Sequence, residues 1–116
     1  MICISQSGET ADVRACLELA KHKGLFTIGV VNTVGSQIAT TVDCGVYVKC
    51  GREVAVAATK SFTSQCVSLL MIAIWISFVK EQANGTKKNE RLRAMLIQEM
   101  RSLPTIVGIT LYSVQD

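Results

Sequence analysis

The sequence has few of the residues that bind metals, form disulfides or stack on bases. It contains one histidine and no Cys-x-x-Cys pair, so we expect no zinc site and no metal or other cofactor. The five cysteines are odd in number and irregularly spaced, which is typical of reduced thiols in a cytoplasmic protein. Aromatic residues make up 5%, and the net charge of +3 forms no basic stripe, so we expect no nucleic-acid partner.

Long hydrophobic runs are also scarce. The apolar residues at 1–4 are too few for the core of a signal peptide and have no basic residue before them. The longest apolar run, residues 66–79, is shorter than the about 20 residues that a membrane span requires. We therefore expect no membrane partner, and we interpret this run as a helix in a buried core.

The hydrophobic pattern predicts strands that alternate with helices. In chain order the predicted elements are strand 1–5, helix 10–22, strand 25–31, short helix 37–40, strand 44–48, long helix 59–82 and helix 90–103. Gly24 is placed to end the first helix, and Pro104 is placed to end the last. The alternation predicts an α/β fold, a three-layer sandwich in which helices flank a parallel sheet. The second strand is almost continuously apolar, as in a strand covered on both faces.

The turn after the first strand is the most informative segment. It contains Ser5, Gln6, Ser7, Gly8 and Thr10 at the point where a strand becomes a helix. In parallel sheets ligands bind beyond the carboxyl ends of the strands, and helix N-termini attract anions. Hydroxyl and carboxamide groups donate hydrogen bonds to phosphate oxygens. The turn therefore predicts a binding site for a phosphorylated small molecule, although a polar turn with an ordinary helix cap fits the same residues.

Four segments in chain order resemble the SIS (sugar isomerase) domain family. They are residues 4–12 (ISQSGETAD), 32–36 (NTVGS), 43–46 (DCGV) and 59–65 (TKSFTSQ). Together they are similar to the first SIS copy of the eukaryotic glutamine–fructose-6-phosphate aminotransferases. The resemblance implies an SIS-type, flavodoxin-like domain over residues 1–104 that is incomplete at its N-terminus. Residues 105–116 depart from the family, and we expect a strand or a disordered end there.

The resemblance also implies a ligand and the residues that bind it. The ligand is fructose 6-phosphate, which the family converts to glucosamine 6-phosphate for hexosamine synthesis. The family pattern assigns the phosphate to the side chains of Ser5, Gln6, Ser7 and Thr10, and a backbone contact with the sugar to Val56. Secondary positions near the ligand are Gly8, Glu53, Thr59 and Lys60. Glu53 fits a solvated loop carboxylate equally well, and Lys60 fits a solvated lysine or one near the phosphate.

The chain departs from the family at Ala55 and Ala58, where glycine and serine are usual. The catalytic glutamate, the ring-opening histidine and the Schiff-base lysine of the family match no residue here, so we expect a fragment of the enzyme that has no turnover alone. Because family members pair through SIS domains, we expect a homo-oligomer. Two alternatives stay open: a phosphosugar sensor module, or a non-catalytic fragment that docks through residues 66–79.

Overall fold

A computed structural model of the chain describes residues 1–114. The chain divides into two compact units, Met1–Ile72 and Ala73–Asp116. The elements are β1 (Ile2–Ser5), α1 (Ala11–His22), β2 (Ile28–Val31), α2 (Gln37–Thr41), β3 (Cys44–Tyr47), α3 (Lys60–Asn84) and α4 (Glu90–Ser113). Seven predicted elements are therefore present in the predicted order, with ends that differ by a few residues except in α4.

The three strands form one parallel sheet in the order β1-β2-β3. Ile2 pairs with Ile28, and Ile28 pairs with Cys44. The sheet is flanked by helices, which confirms the predicted α/β fold. Because the strands are parallel, their carboxyl ends meet at one edge, and the turn after β1 lies at that edge.

The core of the first unit lies between the sheet and the helices α1 and α2. Its buried members are Cys3, Leu17, Val31 and Ile38, with Val13, Ala39 and Val42 packed against them. Both faces of the central strand β2 are covered, as predicted. In β1 only alternate residues are buried, and β3 is exposed throughout, so the buried strand predicted at residues 1–5 has one open face.

The amino ends of β2 and β3 are joined by Asp43, which directly precedes β3. Its carboxylate accepts hydrogen bonds from the backbone N–H and the hydroxyl of Thr27, each at 2.8 Å, and from Lys21 at 2.5 Å. These hydrogen bonds, with that from Lys21 the strongest, lower the pKa of Asp43 to about 2. Two residues after Asp43, Gly45 lies so close to β2 that a Cβ there would sit 2.5 Å from the Gly29 carbonyl oxygen.

Within the second unit, Glu81 joins α3 to the start of α4. Its carboxylate accepts a hydrogen bond from the Asn89 backbone N–H at 2.6 Å and another from Arg93. Arg93 also donates to the Ser77 hydroxyl at 3.3 Å and lies 5.7 Å from the centre of the Phe78 ring. Burial raises the pKa of Glu81, but these hydrogen bonds more than offset it, and the pKa lies below its ordinary value.

The last helix does not end where the sequence predicted. Helix α4 continues through Pro104 to Ser113, so the end predicted at Pro104 is wrong. The strand or disorder predicted for the tail is wrong for residues 105–113, and residues 115–116 of that prediction lie outside the described residues. Proline removes its own N–H donor and disturbs the turn before it, but later residues can resume helical dihedrals. Residues 105–113 are therefore helical although their β-branched side chains favour a strand.

Helix α3 is more exposed than the sequence predicted. An 18-residue window of this helix has a mean hydropathy of 1.9, yet only 11% of the window is buried. Ile72 is buried, whereas Met71 and Trp75 are 57% and 59% exposed. The prediction of a buried core helix over residues 66–79 is therefore wrong for the described chain. By length and composition alone this helix could cross a membrane, but core helices of soluble proteins have similar length and composition.

Candidate functional site

The hydroxyls predicted to bind phosphate lie together in the turn after β1. The Ser5 hydroxyl oxygen accepts the Gly8 backbone N–H at 3.0 Å and forms a 2.9 Å hydrogen bond with the Thr10 hydroxyl. The Ser7 hydroxyl oxygen accepts the Glu9 N–H at 3.1 Å. Ser5 is buried, whereas Gln6 and Ser7 are half-buried and Thr10 is exposed. The turn therefore closes on the Ser5 hydroxyl, and its other polar side chains are on residues that are half-buried or exposed.

The hydroxyl cluster has protons with which it can bind a ligand. Ser5 and Thr10 have two hydroxyl protons between them, and their mutual hydrogen bond uses one. Whichever hydroxyl donates, the other proton has no acceptor among residues 1–114. The Ser7 hydroxyl accepts a hydrogen bond within the turn and donates to no other described residue, so its proton is also uncommitted there. The cluster thus presents two O–H donors beside the N-terminus of α1, whose positive dipole end favours an anion.

Gly8 holds this turn against the second helix. Its φ of +69° is in the left-handed region, and a Cβ there would lie 1.9 Å from the Ser36 hydroxyl oxygen. Its carbonyl accepts the Ile38 N–H at 3.0 Å. The structure therefore gives Gly8 a packing role in the turn. The Ser36 hydroxyl is buried and has no hydrogen-bond partner among the described residues.

Glu9 makes a contact that the sequence did not predict. One of its carboxylate oxygens accepts the backbone N–H of Gln37, the first residue of α2, at 2.7 Å. This N–H has no partner within its own helix, so the carboxylate caps α2. The side chains between Ser5 and Thr10 thus divide between an open donor face and contacts that fix the turn to α2.

Glu53 caps the N-terminus of α3. Its carboxylate accepts hydrogen bonds from the backbone N–H and hydroxyl of Thr59, at 3.3 and 3.1 Å, and of Ser61, at 3.2 and 2.8 Å. These bonds, above all that from the Ser61 hydroxyl, lower the pKa of Glu53. Glu53 thus lies in the loop, half-buried, with its carboxylate engaged in the cap. Thr59 is engaged in the same cap.

The loop between Glu53 and the helix holds the other predicted sugar contact. Val56 lies there with its side chain fully exposed. Lys60, the first residue of α3, is exposed, and its Nζ is 4.0 Å from where a Cβ on Gly51 would lie. The structure thus places Glu53, Val56, Thr59 and Lys60 in one capped segment, separate in sequence from the hydroxyl cluster.

Asn32, the first residue after β2, contacts both the turn after β1 and the residues that precede Glu53. Its backbone N–H and the Thr33 hydroxyl both donate to the Gln6 carbonyl, each at 3.3 Å. Its side chain donates to the Gly51 carbonyl at 2.7 Å and accepts the Cys50 N–H at 3.1 Å. Sequence analysis placed Asn32 only in the NTVGS segment, since its partners are backbone groups distant in sequence.

The chemistry of this edge suits binding by neutral donors. No group of three metal-ligating side chains occurs among residues 1–114. The hydroxyls and the backbone N–H groups can hold an anion, while the carboxylates of Glu9 and Glu53 are engaged in helix caps.

Comparison with known proteins identifies the family of this fold. The model of the SIS domain matches residues 1–75. The human glutamine–fructose-6-phosphate aminotransferase [isomerizing] 2 is 43% identical over 104 residues, which are 90% of this chain and 14% of that protein. The aminotransferase of Saccharomyces cerevisiae is 45% identical over 103 residues, which are 89% of this chain and 14% of that protein.

A solved structure agrees with the sequence match. The C-terminal domain of glucosamine-fructose-6-phosphate aminotransferase from Francisella tularensis superposes with a TM-score of 0.81 at 30% identity, over 92% of this chain and 29% of that one. The chain thus spans only a small part of its relatives. The fold, the turn after β1 and these matches agree: the chain belongs to the SIS domain family and is similar to the SIS region of the glutamine–fructose-6-phosphate aminotransferases.

Proposed function

We propose that this chain binds the phosphate group of a phosphorylated hexose in the turn after β1. The observation that carries the proposal is the pair of uncommitted hydroxyl protons, one on Ser7 and one shared by Ser5 and Thr10, beside the N-terminus of α1. The half-buried Gln6 carboxamide adds a further donor at the rim. Neutral donors at a helix N-terminus can hold a dianion without a bound cation.

The proposed ligand is fructose 6-phosphate, the sugar in the names of the human and yeast relatives. Its hexose part would extend toward the capped segment, where the backbone at Val56 and the side chains of Thr59 and Lys60 are the candidate contacts. Glu53 would act here by holding that segment on α3. Ala58 offers no hydroxyl, so we expect fewer polar contacts with the sugar than a serine there would give.

The proposed role of the chain in the aminotransferase reaction is to anchor the phosphate. Fixing a non-reacting group places the reactive carbons for chemistry carried out by other residues. The chain spans 14% of the human relative, and we assign no turnover to it alone. We place it, by analogy, within a cytoplasmic homo-oligomeric enzyme that makes glucosamine 6-phosphate for hexosamine synthesis, with residues 1–104 as its SIS portion.

Isothermal titration of the full chain with fructose 6-phosphate tests this function. We expect saturable binding, and none of fructose lacking the phosphate. Ser7→Ala removes one donor to a charged group, worth about 1.5–3 kcal/mol, and should weaken binding by about tenfold or more. Ser102→Ala, in α4, is the matched control and should bind as the unchanged chain does. Equal binding of fructose and its phosphate ester would contradict the proposal.

A further inference from the structure

The segment after β3 leaves the sheet through an unfavourable backbone conformation. The last ladder hydrogen bond joins the Val48 N–H to the Val31 carbonyl at 2.9 Å. Directly afterwards Lys49 has a φ of +54° and Gly51 a φ of +76°. The left-handed region is costly for a residue with a side chain such as Lys49, and it persists only where surrounding contacts hold it.

The Asn32 side chain provides those contacts. It follows Val31, the last residue of β2, so its carboxamide lies where the next pair of backbone groups would continue the ladder. Both ends of the carboxamide are used: the NH₂ donates to the Gly51 carbonyl, and the oxygen accepts the Cys50 N–H. The side chain thus continues the pairing of β2 with β3 where the two backbones diverge.

The backbone of Asn32 contacts a different segment, the turn after β1. Its N–H donates to the carbonyl of Gln6, inside the turn that carries the hydroxyl cluster. One residue therefore contacts both the turn after β1 and the segment after β3. From Gly51 the chain passes through one residue to Glu53, whose carboxylate is bonded to the start of α3.

We infer that Asn32 is a positioning residue that fixes the spacing between the phosphate-binding turn and the sugar-contacting segment, residues 53–60. The inference rests on the proposed function, because both groups belong to that site. A ligand that spans both groups depends on this spacing, whereas a ligand held by the turn alone does not. Asparagine suits the position because its side chain has both a donor for the Gly51 carbonyl and an acceptor for the Cys50 N–H. Aspartate has no donor for the Gly51 carbonyl, and alanine has neither group.

Two ligands of different reach test the inference. Inorganic phosphate occupies only the turn, and fructose 6-phosphate reaches the segment as well. In amide NMR titrations of the full chain, Asn32→Ala should weaken fructose 6-phosphate binding by about tenfold and leave phosphate binding within about twofold. Asn32→Asp should behave in the same way. Asn84→Ala, at the exposed end of α3, is the control and should change neither affinity.

Hydrogen exchange gives a second readout that needs no ligand. The Cys50 and Thr59 amides should exchange faster in Asn32→Ala, and the Gly8 amide should not. Equal weakening of both ligands, or unchanged exchange at Cys50, would overturn the role of Asn32 alone. If the unchanged chain bound neither ligand, the proposed function would fail, and the inference would fail with it.

Discussion

At the residue scale, the site depends on which polar groups are already used within the fold. Ser5 and Ser36 are both buried serines, but their hydroxyls differ. The Ser5 hydroxyl oxygen is the partner of a buried N–H at Gly8, while the Ser36 hydroxyl has no partner among the described residues. A buried polar group without a hydrogen bond opposes folding, whereas one that satisfies another buried group supports it. The same substitution at the two positions should therefore have opposite effects.

We predict that Ser5→Ala lowers the free energy of unfolding by about 1–3 kcal/mol, because it leaves the Gly8 N–H unsatisfied. Ser36→Ala removes an unpaired hydroxyl and should raise that free energy by about 1 kcal/mol. Urea unfolding of the full chain measures both changes. A loss of stability in Ser36→Ala comparable to that in Ser5→Ala would show that the Ser36 hydroxyl has a partner in solution.

At the scale of elements, the sequence predicted what depends on local patterns and missed what depends on distant partners. Apolar runs, Gly24 and the polar turn after β1 were sufficient for the parallel sheet and for the position of the hydroxyl cluster. The caps by Glu9 and Glu53 were not predictable in this way, since each carboxylate binds the N-terminus of a helix that begins later in the chain. The helix end predicted at Pro104 was wrong because the residues on both sides of this proline are helical in spite of the hydrogen bond that it removes.

Asp43 gives a prediction at the same scale, since it joins the starts of β2 and β3. Its pKa is about 2 in the folded chain and 3.8 ordinarily, so the folded state favours the ionised carboxylate. The resulting stability is fully present above pH about 4 and is lost as the pH falls toward 2. Asp43→Asn cannot ionise, and the difference in unfolding free energy between it and the unchanged chain should shrink over this range.

Urea unfolding at a series of pH values from neutral to acid measures that difference. The pKa values of Glu53 and Glu81 are also lowered, so they contribute in the same direction in both proteins and cancel in the comparison. A difference that stayed constant from pH 5 to pH 2 would mean that Asp43 titrates at its ordinary pKa and does not join the strands as described.

At the scale of the whole molecule, large apolar side chains along α3 and α4 remain exposed in the part of the chain that the structure describes. Met71, Trp75 and Phe78 on α3 are 57%, 59% and 46% exposed, and Leu92 and Met95 on α4 are 50% and 54% exposed. Met71, Trp75 and Phe78 follow one another at spacings of four and three residues, so they share one face of α3, and an exposed apolar face of this kind binds protein or lipid. We favour protein, because the proposed function places the chain in a homo-oligomeric enzyme.

We predict that the full chain self-associates through α3 and does not bind lipid. Trp75→Lys places a charge in the apolar surface and should shift the sedimentation of the chain toward the monomer, because burying that charge in an interface is costly. Gln98→Lys, at an exposed polar position on α4, adds the same charge and should leave the oligomer unchanged. Circular dichroism checks that both variants keep their helices. Co-flotation of the unchanged chain with phospholipid vesicles, lost in Trp75→Lys, would instead assign this surface to a membrane, as the length and hydropathy of α3 would permit.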